Sequence, residues 1–209
     1  MNSPKICIVY NGGSGGDFLV SLLSQHKNFK LDTNGMVLNP PGRTFKDACE
    51  KFFLAKFKNF EQLNFDPIVN THYCYKEIID LFPECKFYFI DDSDYIDVTT
   101  EIYIHKRIIS CKKTLFEWLL ETNSFKHINK IKNLSDAHIT IIIKNDYKKC
   151  LKEWKKLKLI RIDLHDLVNK EKCRNLVNSM LQSTVNNDHF DSIYDAWFNK
   201  NTKLISKII

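Results

Sequence analysis

A short apolar segment that runs directly into a glycine-rich loop constrains this fold more than any other feature of the chain. Residues 5–10 read KICIVY, a β-rich run, and they end abruptly in the loop NGGSGGD at residues 11–17. The next segment, residues 18–23, is apolar on nearly every side, as expected of a helix buried against a sheet. A strand, a tight turn and a buried helix in this order predict the first unit of an α/β domain.

Further apolar runs alternate with helical segments along the chain. Residues 68–71 and 86–90 are predicted strands, and residues 159–164 predict another. Residues 138–144, HITIIIK, form a continuous isoleucine-rich run that is typical of a strand buried on both faces. This alternation predicts one three-layer α/β/α domain over residues 1–209, with a mostly parallel central sheet.

Helices are predicted between and after these strands. The predicted helical segments are at about 44–58, 73–82, 94–132, 146–157, 169–183 and 189–200. Residues 28–43 carry Asn-Gly and Pro-Pro-Gly signals that break regular structure.

Composition narrows the class of protein. Hydrophobic residues make up 44% of the 209 residues and charged residues 27%, which is globular rather than disordered. The 31 Lys and Arg against 25 Asp and Glu give a net charge of +6, which favours anionic partners without identifying one. Seven singly scattered cysteines predict neither a disulfide framework nor a zinc knuckle, and no apolar run reaches about 18 residues. We therefore expect a cytoplasmic protein with no membrane partner and no metal.

The loop is the first candidate binding site. In a turn between a strand and a helix, successive main-chain N–H groups point into one concavity, and the helix dipole adds about half a positive charge there. Phosphate binding is therefore predicted for the loop, with a purely structural turn as the alternative. The loop residues are Gly12, Gly13, Ser14, Gly15, Gly16 and Asp17.

Two features of the loop qualify this prediction. A Walker A sequence requires a lysine followed by a hydroxyl residue, and Asp17 and Phe18 stand there instead. The Asp17 carboxylate can cap the following helix, but it repels a phosphate unless it is turned away or paired with a cation.

Two further candidates follow predicted strand ends, the edge where open α/β sheets bind ligands. His72 can act there as a general base toward an acceptor hydroxyl, or it can make a structural hydrogen bond. Asp91 and Asp92 directly follow the strand KFYFI, where clustered carboxylates hold a divalent cation or cap a helix. Thr99, one or two turns into that predicted helix, can aim its hydroxyl toward the same ligand.

Four segments taken in order, YNGGSGGDFLVSLL, VNTHY, FPECKFYFIDDSDYIDVTT and IDLHDLV, resemble the P-loop-like sulfotransferases. The resemblance implies 3′-phosphoadenosine 5′-phosphosulfate as the sulfuryl donor and a hydroxyl compound as the acceptor. It also implies that residues 13–17 form the 5′ phosphosulfate loop, that His72 is the base and that Thr99 is the hydroxyl for the 3′-phosphate.

The chain departs from this family pattern at several phosphate contacts. The loop's basic residue falls on Gly13, the loop hydroxyls fall on Gly16 and Asp17, and the 3′-phosphate arginine falls on Asp91. Each charge-assisted hydrogen bond to a phosphate contributes about 1.5 to 3 kcal/mol. Another cation then has to supply the missing charge, and the candidates are Arg43, Lys106, Arg107 and Arg161.

Two alternative functions remain open. One is a divergent P-loop nucleotide kinase or NTPase in which Asp91 or Asp92 holds Mg²⁺, although the missing loop lysine counts against it. The other is a non-catalytic binding protein that docks an acidic partner on the lysine-rich face of the helix at 146–157, a face that is ordinarily just solvated. Nucleic acid is not an expected partner.

Overall fold

The computed structural model describes residues 5–24, 29–31, 66–72, 74, 76–111 and 134–209. The helix predicted at 44–58, the residue Arg43 and the side chains of Lys106 and Arg107 lie outside the described part.

One parallel sheet runs through the described part of the chain. Its strands are β1 (Ile6–Val9), β2 (Phe29–Leu31), β3 (Asp66–Thr71), β4 (Lys86–Asp91) and β5 (Ile160–Asp163). Their spatial order is β2-β3-β1-β4-β5, and all four neighbouring pairs are parallel. The parallel sheet predicted from the sequence is therefore confirmed, and β1 lies at its centre.

Helices connect and cover the strands. They are α1 (Gly16–Leu23), α2 (Lys76–Leu81), α3 (Ile96–Cys111), α4 (Asp136–Trp154), α5 (Leu164–Val168), α6 (Lys170–Leu181) and α7 (Asn187–Ile205), with a 3₁₀ turn at Ser93–Tyr95 before α3. In the ranges that the structure describes, none of these helices combines the length and the apolar character needed to cross a bilayer.

Two apolar cores, one on each face of the sheet, make the fold three-layered. Successive residues of a strand point to opposite faces, so Ile6 and Ile8 enter one core while Cys7 and Val9 enter the other. Helices α1, α5, α6 and α7 supply the first core, and α4 closes the second with the fully buried Trp154. This confirms the predicted α/β/α architecture.

The strand predicted at residues 138–144 is wrong, because this segment forms the first half of α4. Only Ile139 and Ile143 of the run are buried, whereas Ile141 is 54% exposed. Tyr147 and Leu151 continue this spacing of four residues, and the buried Trp154 follows three residues later, which is the pattern of an amphipathic helix. That long-range period prevails over the local strand preference of isoleucine.

The other predicted strands are found close to their expected positions. Residues 68–71 lie in β3, the run KFYFI lies in β4, and residues 159–164 contain β5. The helices predicted at 73–82, 169–183 and 189–200 correspond to α2, α6 and α7. Strand β2 was not predicted, since it has only three residues and lies at the start of a segment rich in turn signals.

Candidate functional site

The three sequence-predicted features meet at one edge of the sheet. The strand register places Val9 of β1 beside Thr71 of β3 on one side and beside Phe89 of β4 on the other. The loop, His72 and the Asp91–Asp92 pair each begin where one of these strands ends. Chain connections leave β1 and β4 toward opposite edges of the sheet, so this is a topological switch point, where open α/β sheets bind ligands.

The loop is shaped by Asn11 and by two glycines. The Asn11 carbonyl oxygen accepts hydrogen bonds from the Ser14 amide at 3.2 Å and from the Ser14 hydroxyl at 2.7 Å. Ser14 is fully buried, so its hydroxyl stabilises the turn rather than facing solvent. Gly13 and Gly15 adopt φ values of +90° and +85°, a left-handed conformation that favours glycine.

The start of α1 offers main-chain donors. Within the described residues, the amides of Gly13, Gly15 and Gly16 form no hydrogen bond. Amides at the beginning of a helix lack intrahelical acceptors, and alternating left-handed residues bring such amides together into an anion-binding concavity. The loop therefore offers unbonded main-chain donors, the kind of group that binds anions at the start of a helix.

Three of the four loop glycines are also required by packing. A Cβ atom on Gly16 would overlap the ring of Tyr10, and one on Gly12 would overlap the ring of Tyr103. A Cβ on Gly13 would overlap the main-chain carbonyl oxygen of Thr99, which shows that α3 lies directly against this side of the loop. Gly15 is less crowded, since the nearest atom to its Cβ position is on Trp197 at 3.4 Å.

Tyr10 connects the loop to His72. Its hydroxyl donates a hydrogen bond to the exposed Asp17 carboxylate, and its carbonyl oxygen lies 2.8 Å from Nδ1 of His72. The two rings also meet edge to face, with centroids 4.5 Å apart. Asp17 is thus engaged by a neutral hydroxyl, and the imidazole lies beside the residue that leads into the loop.

The contact with Tyr10 fixes the tautomer of His72. A carbonyl oxygen can only accept a hydrogen bond, so Nδ1 must carry the proton. In a neutral imidazole the lone pair then resides on Nε2. His72 is half-buried and has the tautomer that a general base acting through Nε2 needs.

Asp91 is enclosed by cations. Its Oδ2 atom lies 3.0 Å from Nζ of Lys155 and 3.0 Å from Nε of Arg161, and its Oδ1 atom accepts hydrogen bonds from the amide and hydroxyl of Ser93. Burial opposes ionisation, but the hydrogen bonds from Ser93 and Lys155 prevail and lower the pKa of Asp91. Arg161, one of the candidate substitutes for the missing phosphate contacts, is therefore bound to a carboxylate.

Asp92 is buried, and no cation among the described residues forms an ion pair with it. Its Oδ1 atom accepts a hydrogen bond from the Asn11 amide group at 2.9 Å, which links β4 to the start of the loop. Its Oδ2 atom is buried and has no hydrogen-bond partner within the described residues. Burial raises the pKa of Asp92 to about 6, although the nearby hydroxyl of Thr99 and the hydrogen bond from Asn11 oppose the rise.

Thr99 lies on the first turn of α3, behind the loop. Its side chain is fully buried, and its hydroxyl lies 3.2 Å from the Ile96 carbonyl oxygen, which also accepts a hydrogen bond from Thr100 at 2.6 Å. In this arrangement the hydroxyl stabilises the helix and does not face solvent. The role of Thr99 toward a 3′-phosphate remains a prediction.

The sequence reasoning missed two residues that organise this site, Tyr10 and Asn11. Both immediately precede the glycines, so their positions flanking the loop were the available signal. Their partners His72 and Asp92 are 62 and 81 residues away, and nothing in the sequence indicates those pairings. Among the described residues, no group of three or more His, Cys, Asp or Glu side chains is arranged to hold a metal ion.

Comparisons with known proteins support the fold. No protein-family profile matches the chain, and no curated protein is similar to it in sequence. Among solved structures, a sulfotransferase from Alicyclobacillus acidocaldarius is similar, with a TM-score of 0.54 and 13% sequence identity. The match covers 100% of this chain and 96% of that protein. The chain therefore has a sulfotransferase-like α/β fold.

Proposed function

We propose that this protein is a sulfotransferase-like enzyme that transfers a sulfuryl group from 3′-phosphoadenosine 5′-phosphosulfate to the hydroxyl of a small acceptor. The fold supports this class, and the contact between Tyr10 and His72 carries the proposal. Through that contact a histidine with its lone pair on Nε2 lies next to a loop with available main-chain donors. A base and an anion site at one sheet edge are the two parts that the reaction needs.

In this proposal the loop binds the phosphosulfate end of the donor. The amides of Gly13, Gly15 and Gly16 donate to its oxygens, and the dipole of α1 adds partial positive charge. The same donors stabilise the charge that develops on the leaving phosphate oxygen when the bond to sulfur breaks.

His72 then activates the acceptor. Nε2 takes the proton of the acceptor hydroxyl while that oxygen forms a bond to sulfur, and the bond between sulfur and the bridging oxygen breaks. The electron pair of the broken bond leaves with the nucleotide phosphate. The hydrogen bond from Nδ1 to the Tyr10 carbonyl stabilises the imidazolium that forms.

The two positions that the family resemblance assigns to the donor's 3′-phosphate fit that group poorly. Asp91 is a carboxylate, and Thr99 is fully buried with its hydroxyl on the Ile96 carbonyl. We therefore propose that the donor is held chiefly through the loop, and that any 3′-phosphate contact comes from other residues.

The alternative function, a Mg²⁺-dependent nucleotide kinase or NTPase, is less well supported by the contacts of Asp91. Asp91, the acid at the Walker B position, is already neutralised by Lys155 and Arg161. The loop also lacks the lysine that contacts a transferring phosphate in nucleotide kinases.

Calorimetry with the donor and a sulfate-transfer assay test the proposal. We expect the protein to bind the donor without Mg²⁺, and His72→Ala to retain donor binding while losing on the order of 10²- to 10⁴-fold in transfer rate. His189→Ala is the matched control, because His189 is an exposed residue in the first turn of α7, outside the loop and the strand ends of the candidate site, and the substitution should leave the rate unchanged. Absence of any donor binding at high protein concentration would remove the sulfotransferase proposal.

A further inference from the structure

An aromatic side chain of α7 lies against the loop at its least crowded glycine. The Cβ positions of Gly12, Gly13 and Gly16 are already filled by atoms of neighbouring residues. At Gly15 the nearest atom to the Cβ position is Cζ2 of Trp197 at 3.4 Å, which is ordinary van der Waals contact. Trp197 therefore borders the loop on the side that the surrounding packing leaves most open.

The edge of the indole ring that meets Gly15 also carries the N–H group of Trp197. One ring carbon separates Cζ2 from Nε1, so the hydrogens on these two atoms project from the same edge of the ring. The indole Nε1–H donates hydrogen bonds and cannot accept them. The contact at Gly15 therefore brings a side-chain hydrogen-bond donor to the loop.

This indole N–H is available to a ligand. In the described part of the chain it has no acceptor, whereas the main-chain carbonyl of Trp197 accepts a hydrogen bond from Asn201 at 2.8 Å. Nor does Nε1 belong to the fully buried polar atoms that lack a partner in those residues. Since Trp197 is only half-buried, its N–H group can be reached from solvent.

The position of Trp197 is fixed by other aromatic rings. Its ring stacks on Phe18 with the centroids 4.0 Å apart and the planes at 6°. Tyr194 meets it edge to face at 6.2 Å and is itself held by a 2.7 Å hydrogen bond to the Val168 carbonyl. Because Phe18 belongs to α1, the stack fixes the indole to the helix whose start forms the loop. A group that is already held in place loses little conformational entropy when it binds.

The charge of the sulfuryl donor calls for more hydrogen bonds than the main chain supplies. A phosphosulfate carries one negative charge on each of its two groups, and the dipole of α1 adds only about half a positive charge. The loop contains no basic residue, and Lys155 and Arg161, beside the end of β4, contact Asp91. A neutral side-chain donor at the loop therefore has a role in binding.

We propose that Trp197 is a binding residue for the phosphosulfate end of the sulfuryl donor, and that its indole N–H donates to an oxygen of the anion on the loop. The inference rests on the proposed function and adds a side-chain donor to the main-chain donors of that site. The indole dipole takes over part of the role of the basic residue that the family pattern places at Gly13.

The indole N–H resonance tests this contact directly. Spectra of the unaltered protein are recorded while 3′-phosphoadenosine 5′-phosphosulfate is added, and the resonance is identified from its contacts with the ring of Phe18. We expect the Trp197 resonance to move downfield together with the amides of the loop glycines, because a hydrogen bond to a charged oxygen deshields the proton. The indole resonance of Trp154, in the core on the other face of the sheet, should stay unchanged.

Inorganic sulfate separates the hydrogen bond from ring-current effects of the adenine. Sulfate has no aromatic ring, so it should move the Trp197 indole resonance in the same direction at a higher concentration. A shift that only the nucleotide causes would contradict the hydrogen bond to the anion.

Calorimetry with Trp197→Phe gives a second measurement. Phenylalanine keeps an aromatic ring that can stack on Phe18 but has no N–H group. Since a hydrogen bond to a charged group is lost, the sulfuryl donor should bind on the order of tenfold more weakly. Trp154→Phe is the matched control, because it makes the same change in the other core and should leave the dissociation constant unchanged. Urea denaturation reports whether each variant is folded.

The outcomes distinguish this inference from the proposed function. If neither the indole nor the loop amides shift, the loop does not bind the sulfuryl donor, and the proposed function fails together with the inference. If the loop amides shift while the Trp197 indole does not, or if a folded Trp197→Phe binds as tightly as the unaltered protein, the role of Trp197 is overturned while the loop remains the site.

Discussion

The sheet edge at the end of β4 has two unlike sides. Toward β5, Asp91 is held by Lys155, Arg161 and Ser93, and its pKa is lowered. Toward β1, the next residue, Asp92, is fully buried with one oxygen unpartnered in the described chain, and its pKa is raised. Adjacent carboxylates thus have pKa values shifted in opposite directions because different elements surround them, and Asp92 contacts Asn11 at the start of the candidate loop.

The packing of α3 against Gly13 of the loop leads to the largest expected change in stability. Gly13→Ala would place a Cβ against the Thr99 carbonyl at a φ of +90°, so we expect a loss of about 3 to 4 kcal/mol in the free energy of unfolding. Gly15→Ala, with a similar φ but more space, should lose only about 1 to 2 kcal/mol. Urea denaturation of both variants checks this, and equal losses would mean that α3 does not pack against the loop.

Removing the buried charge should stabilise the protein. The pKa of Asp92 rises from 3.8 to about 6 on folding, so the folded state binds the proton more tightly and the ionised group destabilises it above pH 6. We expect Asp92→Asn to gain about 2 to 3 kcal/mol at pH 8. The gain should shrink as the pH falls through 6 and vanish near pH 4. A pH series of urea denaturations measures it, and a gain that is constant with pH would contradict the explanation.

The neighbouring carboxylate should behave in the opposite way. The pKa of Asp91 is lowered on folding, so its ionised form contributes stability above its unfolded pKa of 3.8, and that contribution is lost as the pH falls through the folded pKa. We expect Asp91→Asn to lose about 1 kcal/mol at pH 7, since both cationic partners are half-exposed and screened. The same pH series should show the loss fading below pH 4.

The smallest expected change in stability concerns Arg161, one of the two cations that contact Asp91. Arg161 is 57% exposed at its side chain, so Arg161→Gln should change stability by about 0.5 kcal/mol or less. It should nevertheless raise the pKa of Asp91, which NMR titration of the carboxyl carbon would detect. An unchanged titration would show that Lys155 and Ser93 alone determine the ionisation of Asp91.

The fold was largely predictable because its signals are local. The run KICIVY, the glycine turn and the apolar helix after it form a continuous segment, and each predicts its element independently. The segment HITIIIK misled because its helical period becomes visible only when it is extended to Trp154. A strand and a helix are distinguished here by the length of sequence considered, because the local residue types favour a strand and only the longer segment shows the helical period.

The site was predictable only in part. The glycine loop and His72 stand out because they follow apolar strands, and the structure brings them to one edge. The two different environments of Asp91 and Asp92 depend on Lys155 of the segment after α4, Arg161 of β5 and Asn11 of the loop. These contacts join residues that are far apart in the sequence, so they cannot be predicted from local sequence patterns.

Tyr10 contacts the candidate site through three separate parts of one residue. Its ring lies beneath Gly16, its hydroxyl holds Asp17, and its carbonyl orients His72. Tyr10 therefore connects the first turn of α1, which its ring and hydroxyl contact, to the imidazole of His72, which its carbonyl contacts. The position of the loop and the orientation of the imidazole are in this way linked through one residue, which joins the donor site to the base under the proposed function.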